Sequence, residues 1–68
     1  MSMQIYVNGT SRTFPDTMGL TALLVDMGLV GKRIAVEINR EIVPRAQHST
    51  RVLRDGDRIE IVQAIGGG

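Results

Sequence analysis

The stretch Met3-Gln4-Ile5-Tyr6-Val7-Asn8-Gly9-Thr10-Ser11-Arg12-Thr13-Phe14 decides the fold class of this chain. Apolar and polar side chains alternate from Met3 to Val7, which is the period of a strand with one buried face. Asn8-Gly9 follows at once and supplies the positive φ angles that a tight hairpin turn requires. Thr10 to Phe14 then predicts a returning strand, closed by Pro15-Asp16. The chain is therefore expected to begin with a β-hairpin.

An amphipathic helix is predicted directly after the hairpin. Asp16 or Thr17 is expected to cap its start, and Gly28 is expected to end it in left-handed backbone geometry. Four apolar side chains fall at i, i+3, i+4 and i+7 and so share one face of this helix: Leu20, Leu23, Leu24 and Met27.

The second half of the chain predicts three further β elements. The residues from Ile34 to Ile38 alternate as the first strand does, and Asn39-Arg40-Glu41 turns the chain. Ile42-Val43 is a short partner strand that ends at Pro44, since proline donates no ladder hydrogen bond. Residues 45–51 are polar and irregular.

The closing strand is predicted from Arg58 to Ile65, with Ile59 and Ile61 pointing inward. Leu53 is expected to pack under the core before a tight turn at Arg54-Asp55-Gly56-Asp57. A calcium loop is disfavoured there, because the further oxygen ligands that such a loop needs are missing.

These elements predict an α+β fold with a mixed sheet of about four to five strands and one helix packed on one face. The order is that of a β-grasp, or ubiquitin-like, fold, in which the first and last strands lie side by side in the middle of the sheet. Residues 1–65 are expected to form the β-grasp domain and residues 66–68 a flexible C-terminal tail.

The composition excludes several classes of protein. With 68 residues, 43% of them hydrophobic, the chain can build one core but has little room for an enzyme pocket. It has no cysteine, so neither disulfides nor a thiolate metal site stabilise it, and no metal site is predicted. A net charge of +1 gives no basic stripe for nucleic acid. No apolar run approaches the roughly 20 residues of a membrane span, and the cytoplasm is the expected location.

The terminal Gly66-Gly67-Gly68 is the feature that most needs a function. One interpretation is a frayed end. The other is a slender arm of about 3.3 Å per residue on a rigid strand, which can enter a channel that excludes larger side chains. Its reactive group is the unhindered carboxylate of Gly68. Phosphate binding is disfavoured, because no helix N-terminus follows the glycines.

A small apolar docking patch is predicted on the outward side of the last strand. If Ile59 and Ile61 face the helix, Val62 and Ala64 face outward and Ile65 lies at the exit. With an outward Tyr6 on the neighbouring strand, these residues are of the type that docks partners. The alternative is ordinary scattered surface hydrophobicity. His48, the one histidine, is interpreted as a surface residue in a loop.

From Met3 to Gly68 the chain resembles the ThiS family, the bacterial sulfur carriers of thiamine biosynthesis. Three segments carry the resemblance, and the middle one is the most specific. They are Ile5-Tyr6-Val7-Asn8-Gly9, the run from Val36-Glu37-Ile38-Asn39 through Arg40-Glu41-Ile42-Val43-Pro44-Arg45, and Asp55-Gly56-Asp57-Arg58-Ile59-Glu60-Ile61 leading to Gly67-Gly68.

The resemblance implies a carrier rather than an enzyme, with no bound cofactor. A ThiF-type partner would use ATP to adenylate the Gly68 carboxylate, and a sulfur donor enzyme would convert it to a thiocarboxylate, a C-terminal 1-thioglycine. Thiazole synthase (ThiG) would then take the sulfur. Two alternatives stay open: a carrier subunit of the molybdopterin synthase type, and a ubiquitin-like modifier or interaction module.

Overall fold

A computed structural model of the chain describes residues 2–63. Along the chain the elements follow in the order strand, strand, helix, strand, strand, short 3-10 helix and last strand. The elements are β1 (Met3–Val7), β2 (Thr10–Phe14), α1 (Leu20–Asp26), β3 (Ile34–Ile38), β4 (Glu41–Val43), the 3-10 helix Arg45–Gln47 and β5 (Arg58–Gln63).

The strands form one mixed sheet in the order β2-β1-β5-β3-β4. β1 and β2 form an antiparallel hairpin in which Met3 lies opposite Phe14. β5 lies parallel to β1 and antiparallel to β3, so the first and last strands are neighbours in the interior of the sheet. This is the β-grasp topology that the order of the elements predicts.

The core lies between α1 and one face of the sheet. Alternate residues of the strands and one face of the helix supply it, as the two periodicities predict. Leu53 joins them with no exposed surface, although it belongs to no strand. The buried apolar side chains are Met3, Ile5, Val7, Leu20, Leu23, Leu24, Val36, Ile38, Val43, Leu53, Ile59 and Ile61.

The prediction for the start of the helix is wrong. Gly19, in extended geometry, is the N-cap, and no side chain caps it. The Asp16 carboxylate instead accepts a hydrogen bond from the Thr17 N–H at 2.7 Å. The cause is tertiary: the Leu20 N–H donates to the Arg51 carbonyl at 2.9 Å, so a distant segment supplies the partner that a capping side chain would otherwise provide.

The turns follow the predicted chemistry. Asn8 and Gly9 have φ angles of 50° and 82°, and Gly28 ends the helix at 72°. Asn39 and Arg40 turn β3 into β4 with φ angles of 52° and 69°. Residues 45–51, expected to be irregular, begin with the 3-10 helix.

Candidate functional site

The last strand, β5, is the base from which the C-terminal segment departs. Its partners are β1 on one side and β3 on the other, where the pairing extends as far as Ile34 opposite Gln63. Ile59 and Ile61 anchor the strand in the core. A segment that follows Gln63 therefore starts from a strand that is paired with both β1 and β3 at Arg58 and Ile59, and with β3 alone at Gln63. Gly66, Gly67 and Gly68, together with Ile65 and Ala64, lie outside the described residues.

The side chain of Asn8 extends the pairing of β5 beyond the end of β1. Its Oδ1 accepts from the Ile61 N–H at 2.8 Å, and its Nδ2 donates to the Ile61 carbonyl at 3.1 Å. In a regular parallel ladder these bonds would go to main-chain groups of residues 8 and 10. The chain turns away at Gly9, so the amide takes the place of a peptide unit.

The side-chain amide of Asn39 also bonds to β5, at the start of the strand and on the side of β3. Its Oδ1 accepts from the Arg58 N–H and its Nδ2 donates to Oδ1 of Asp57, both at 3.0 Å. The other carboxylate oxygen of Asp57 accepts from the Arg54 N–H at 2.9 Å. Asp57 is 9% exposed, so this carboxylate is a buried part of the turn rather than a surface group. Asn39 thus fixes the start of β5, and Asn8 fixes it at Ile61, two residues before the strand ends.

Sequence reasoning missed this pair of asparagines as strand anchors. The sequence at Asn8-Gly9 and Asn39-Arg40 indicates turns, and both turns are predicted correctly. The strand that each amide reaches is far away in the sequence, 53 residues for Asn8 and 19 for Asn39. Only the order of the strands in the sheet brings them together.

The predicted docking residues Tyr6 and Val62 both lie on the face of the sheet that the helix leaves open. Tyr6 is 36% exposed and Val62 is 62% exposed. They are not neighbours: Tyr6 pairs with Arg58, while Val62 lies four residues further along β5 and pairs with Ala35. At about 3.3 Å per residue that separates them by roughly 13 Å along the strand.

Charged groups occupy the space between these two apolar residues. The Arg58 guanidinium carbon lies 5.6 Å from the centre of the Tyr6 ring. Glu60 follows on the same face before Val62. Tyr6 and Val62 are therefore two separate exposed apolar side chains rather than one patch. Ile42, which the sequence analysis did not select, adds a third on β4 and is 75% exposed. Docking through Tyr6, Val62 and Ile65 stays a prediction.

His48 lies in a loop, as expected, but it is less exposed than a surface residue would be. It is partly buried after the 3-10 helix, and its Nε2 lies 3.1 Å from the Val43 carbonyl oxygen. This contact ties the loop to the end of β4. Among the residues that the structure describes, no three His, Cys, Asp or Glu side chains are grouped closely enough to hold a metal ion. Nor does this part of the chain contain a helix with the length and apolar character of a membrane crossing.

Comparison with known proteins identifies the family. The ThiS family model matches residues 5–68, and the chain is 47% identical to the sulfur carrier protein ThiS of Escherichia coli strain K12 over 66 residues. That alignment covers 97% of this chain and 100% of the other. The chain belongs to the ThiS family. The sequence resemblance is thereby confirmed.

A solved ThiS structure and a thiazole synthase sequence are also similar to this chain. The crystal structure of the thiamine biosynthesis protein ThiS from Geobacter metallireducens matches with a TM-score of 0.82 at 29% identity, covering 97% of this chain and all of that one. A thiazole synthase from Paramagnetospirillum magneticum is 42% identical over 66 residues, 97% of this chain. The chain spans only 20% of the length of that enzyme, so a ThiS-like region occurs within a thiazole synthase.

Proposed function

We propose that this chain is the sulfur carrier for the thiazole ring of thiamine and that it holds the sulfur on the C-terminal carboxylate of Gly68. The observation that carries the proposal is the ThiS-family match, which runs to Gly68 itself. The 47% identity with a protein named as a sulfur carrier supports it.

The sequence restricts where a carrier of this kind can hold sulfur. The chain has no cysteine, so no side-chain thiol is available for a persulfide or a thioester. A carboxylate becomes an acyl electrophile only when one of its oxygens is converted to a good leaving group. The glycyl carboxylate of Gly68 is suited to this, because no Cβ hinders an enzyme that closes around it.

Two bond-forming steps would load the carrier. The Gly68 carboxylate oxygen attacks the α-phosphorus of ATP and pyrophosphate leaves, which gives an acyl-adenylate. A hydrosulfide equivalent from a sulfur donor then attacks the acyl carbon and AMP leaves, which gives the thiocarboxylate, a 1-thioglycine. The role of this chain in both steps is to present the acyl group. Residues 64–68, about 16 Å if fully extended, would carry it away from Gln63, where β5 ends.

We assign the chemistry to partner enzymes, and the chain itself acts as their substrate. The partners are a ThiF-type adenylating enzyme, a sulfur donor enzyme and thiazole synthase (ThiG). A ThiS-like region inside proteins named thiazole synthase supports the last of these. Because activation consumes ATP, we place the loading step in the cytoplasm.

Intact mass spectrometry tests the proposal. The chain is incubated with a ThiF-type enzyme, ATP and a sulfur donor, and the expected product gains the mass difference between sulfur and oxygen. A variant that lacks residues 66–68 is the control and should gain nothing, because it ends in the carboxylate of Ile65. The enzyme is first shown to load the E. coli carrier.

Two outcomes would contradict the proposal. One is an unchanged mass with an enzyme that is active on the E. coli carrier. The other is recovery of the chain from cells in amide linkage to lysine side chains, which would favour a protein modifier.

A further inference from the structure

A groove lies at the end of the sheet from which the C-terminal segment departs. It has a volume of about 270 Å³ and is lined by Arg33, Ile34, Ala35, Arg45 and Val62. Ala35 and Val62 are paired across β3 and β5, and they supply apolar surface. Ile34 pairs with Gln63, the last described residue of β5. The groove is therefore beside the base of the tail.

Two arginines line this groove from different segments of the chain. Arg33 directly precedes β3, and Arg45 follows β4 after Pro44. β4 pairs antiparallel with β3 and ends at Val43, opposite Val36, so the chain returns toward the start of β3, where Arg45 lines the groove together with Arg33 and Ile34. The fold thus brings together two cations that are 12 residues apart in the sequence.

Among residues 2–63, neither arginine has a carboxylate partner. Both are exposed. The one ion pair found among residues 2–63 joins Arg12, on β2, to Asp26, at the end of α1, and so involves neither groove arginine. Two uncompensated guanidinium groups beside an apolar surface attract carboxylates, and each can bind one in bidentate geometry.

We propose that this groove, called here the exit groove (Arg33, Ala35, Arg45 and Val62), binds an acidic segment of the adenylating enzyme. The inference rests on the proposed function and adds the surface that the enzyme recognises. Residues 64–68 span about 16 Å at most, so an enzyme that takes in Gly68 must come close to the end of β5. The exit groove is continuous with that end, and its two positive charges fit Asp or Glu side chains of the enzyme.

This role predicts a particular kinetic signature. In this role the groove binds the enzyme and takes no part in the reaction at Gly68, which is five residues beyond Gln63 in the sequence. Charge reversal should therefore weaken docking and leave the chemical step unchanged. Arg33→Glu and Arg45→Glu are each expected to raise KM for adenylation about tenfold with kcat unchanged. Arg45→Lys keeps the charge but loses the planar fork, and a smaller increase is expected.

The matched control is Arg40→Glu. It makes the same change in charge at an exposed residue beyond the opposite end of β3, and it should leave KM unaltered. The melting temperatures of all variants, measured alongside, should stay within about 4 °C of the original protein, because exposed substitutions have small effects on stability. Binding to the enzyme without ATP should weaken with added salt, and less steeply for the two groove variants.

Two failures can be distinguished. If the original chain is adenylated and Arg33→Glu and Arg45→Glu keep its KM, or lower kcat with an unchanged KM, the groove does not dock the enzyme and this inference is wrong. An equal rise in KM for Arg40→Glu would show a general charge effect and would also overturn it. If the original chain is not adenylated at all, the proposed function fails and the inference fails with it.

Discussion

Replacement of Asn8 by glycine tests whether side-chain amides fix the last strand. Asn8 has a φ angle of 50°, which glycine adopts without strain, so the substitution removes the amide and keeps the turn. Two partly buried hydrogen bonds to the Ile61 main chain are lost, at 2.8 and 3.1 Å. At about 1 kcal/mol each, with about 0.5 kcal/mol more for the flexibility of glycine in the unfolded chain, the free energy of unfolding should fall by roughly 2–3 kcal/mol.

The assay is urea unfolding together with hydrogen exchange at the Ile61 N–H. In a domain of this size, 1 kcal/mol corresponds to about 4–8 °C, so Tm should drop by roughly 10–20 °C. The matched control is Arg40→Gly, at a φ angle of 69°, for which the structure gives no side-chain hydrogen bond within residues 2–63. It should leave stability unchanged or raise it slightly, because glycine relieves the left-handed backbone.

Equal stability of the two variants would refute the reasoning. So would an Ile61 N–H that exchanges no faster in the Asn8→Gly variant than in the original chain. Either result would mean that the pairing with β3 holds β5 without help from the amide.

Three further predictions address the core, a turn and the tail. Leu53→Ala should lower the free energy of unfolding by about 2–5 kcal/mol in urea titrations, because Leu53 has no exposed surface and its removal leaves a cavity. Gly28→Ala should cost about 1 kcal/mol by the same measurement: no atom lies within 4 Å of the added Cβ, so only the φ angle of 72° opposes it. Deletion of residues 66–68 should abolish sulfur loading in the intact-mass assay, because the chain then ends at Ile65, and should leave Tm within about 2 °C, since terminal residues contribute little to stability; a large loss of stability would show that the tail is structural.

The sequence predicts most of the fold because its signals are local. Alternation in Met3–Val7 and the Asn8-Gly9 turn define the hairpin, and the spacing of Leu20, Leu23 and Leu24 defines the buried helical face. Each signal depends only on near neighbours in the chain. The inward direction of Ile59 and Ile61 follows from the same alternation.

What could not be predicted depends on contacts between distant segments. The helix begins at Gly19 because Leu20 donates to Arg51, and no local pattern reveals that partner. Tyr6 and Val62 share a face but lie far apart, because the parallel register places Arg58 opposite Tyr6. Register and strand order are tertiary properties.

In the candidate site, too, some features can be predicted from the sequence and others depend on the fold. The glycines at 66–68 and the family resemblance indicate the reacting group from the sequence alone. The two asparagine anchors and the exit groove require the sheet, since Arg33 and Arg45 meet only when β4 returns along β3.

The most direct test of the central claim follows the sulfur itself. The chain is loaded with isotopically labelled sulfur, the label is located at Gly68 by fragment mass spectrometry, and the purified thiocarboxylate is given to thiazole synthase with its other substrates. The account predicts that the label leaves Gly68 and is recovered in the thiazole ring in equal amount. Unlabelled thiazole, or label that remains on the chain while thiazole forms, would contradict it.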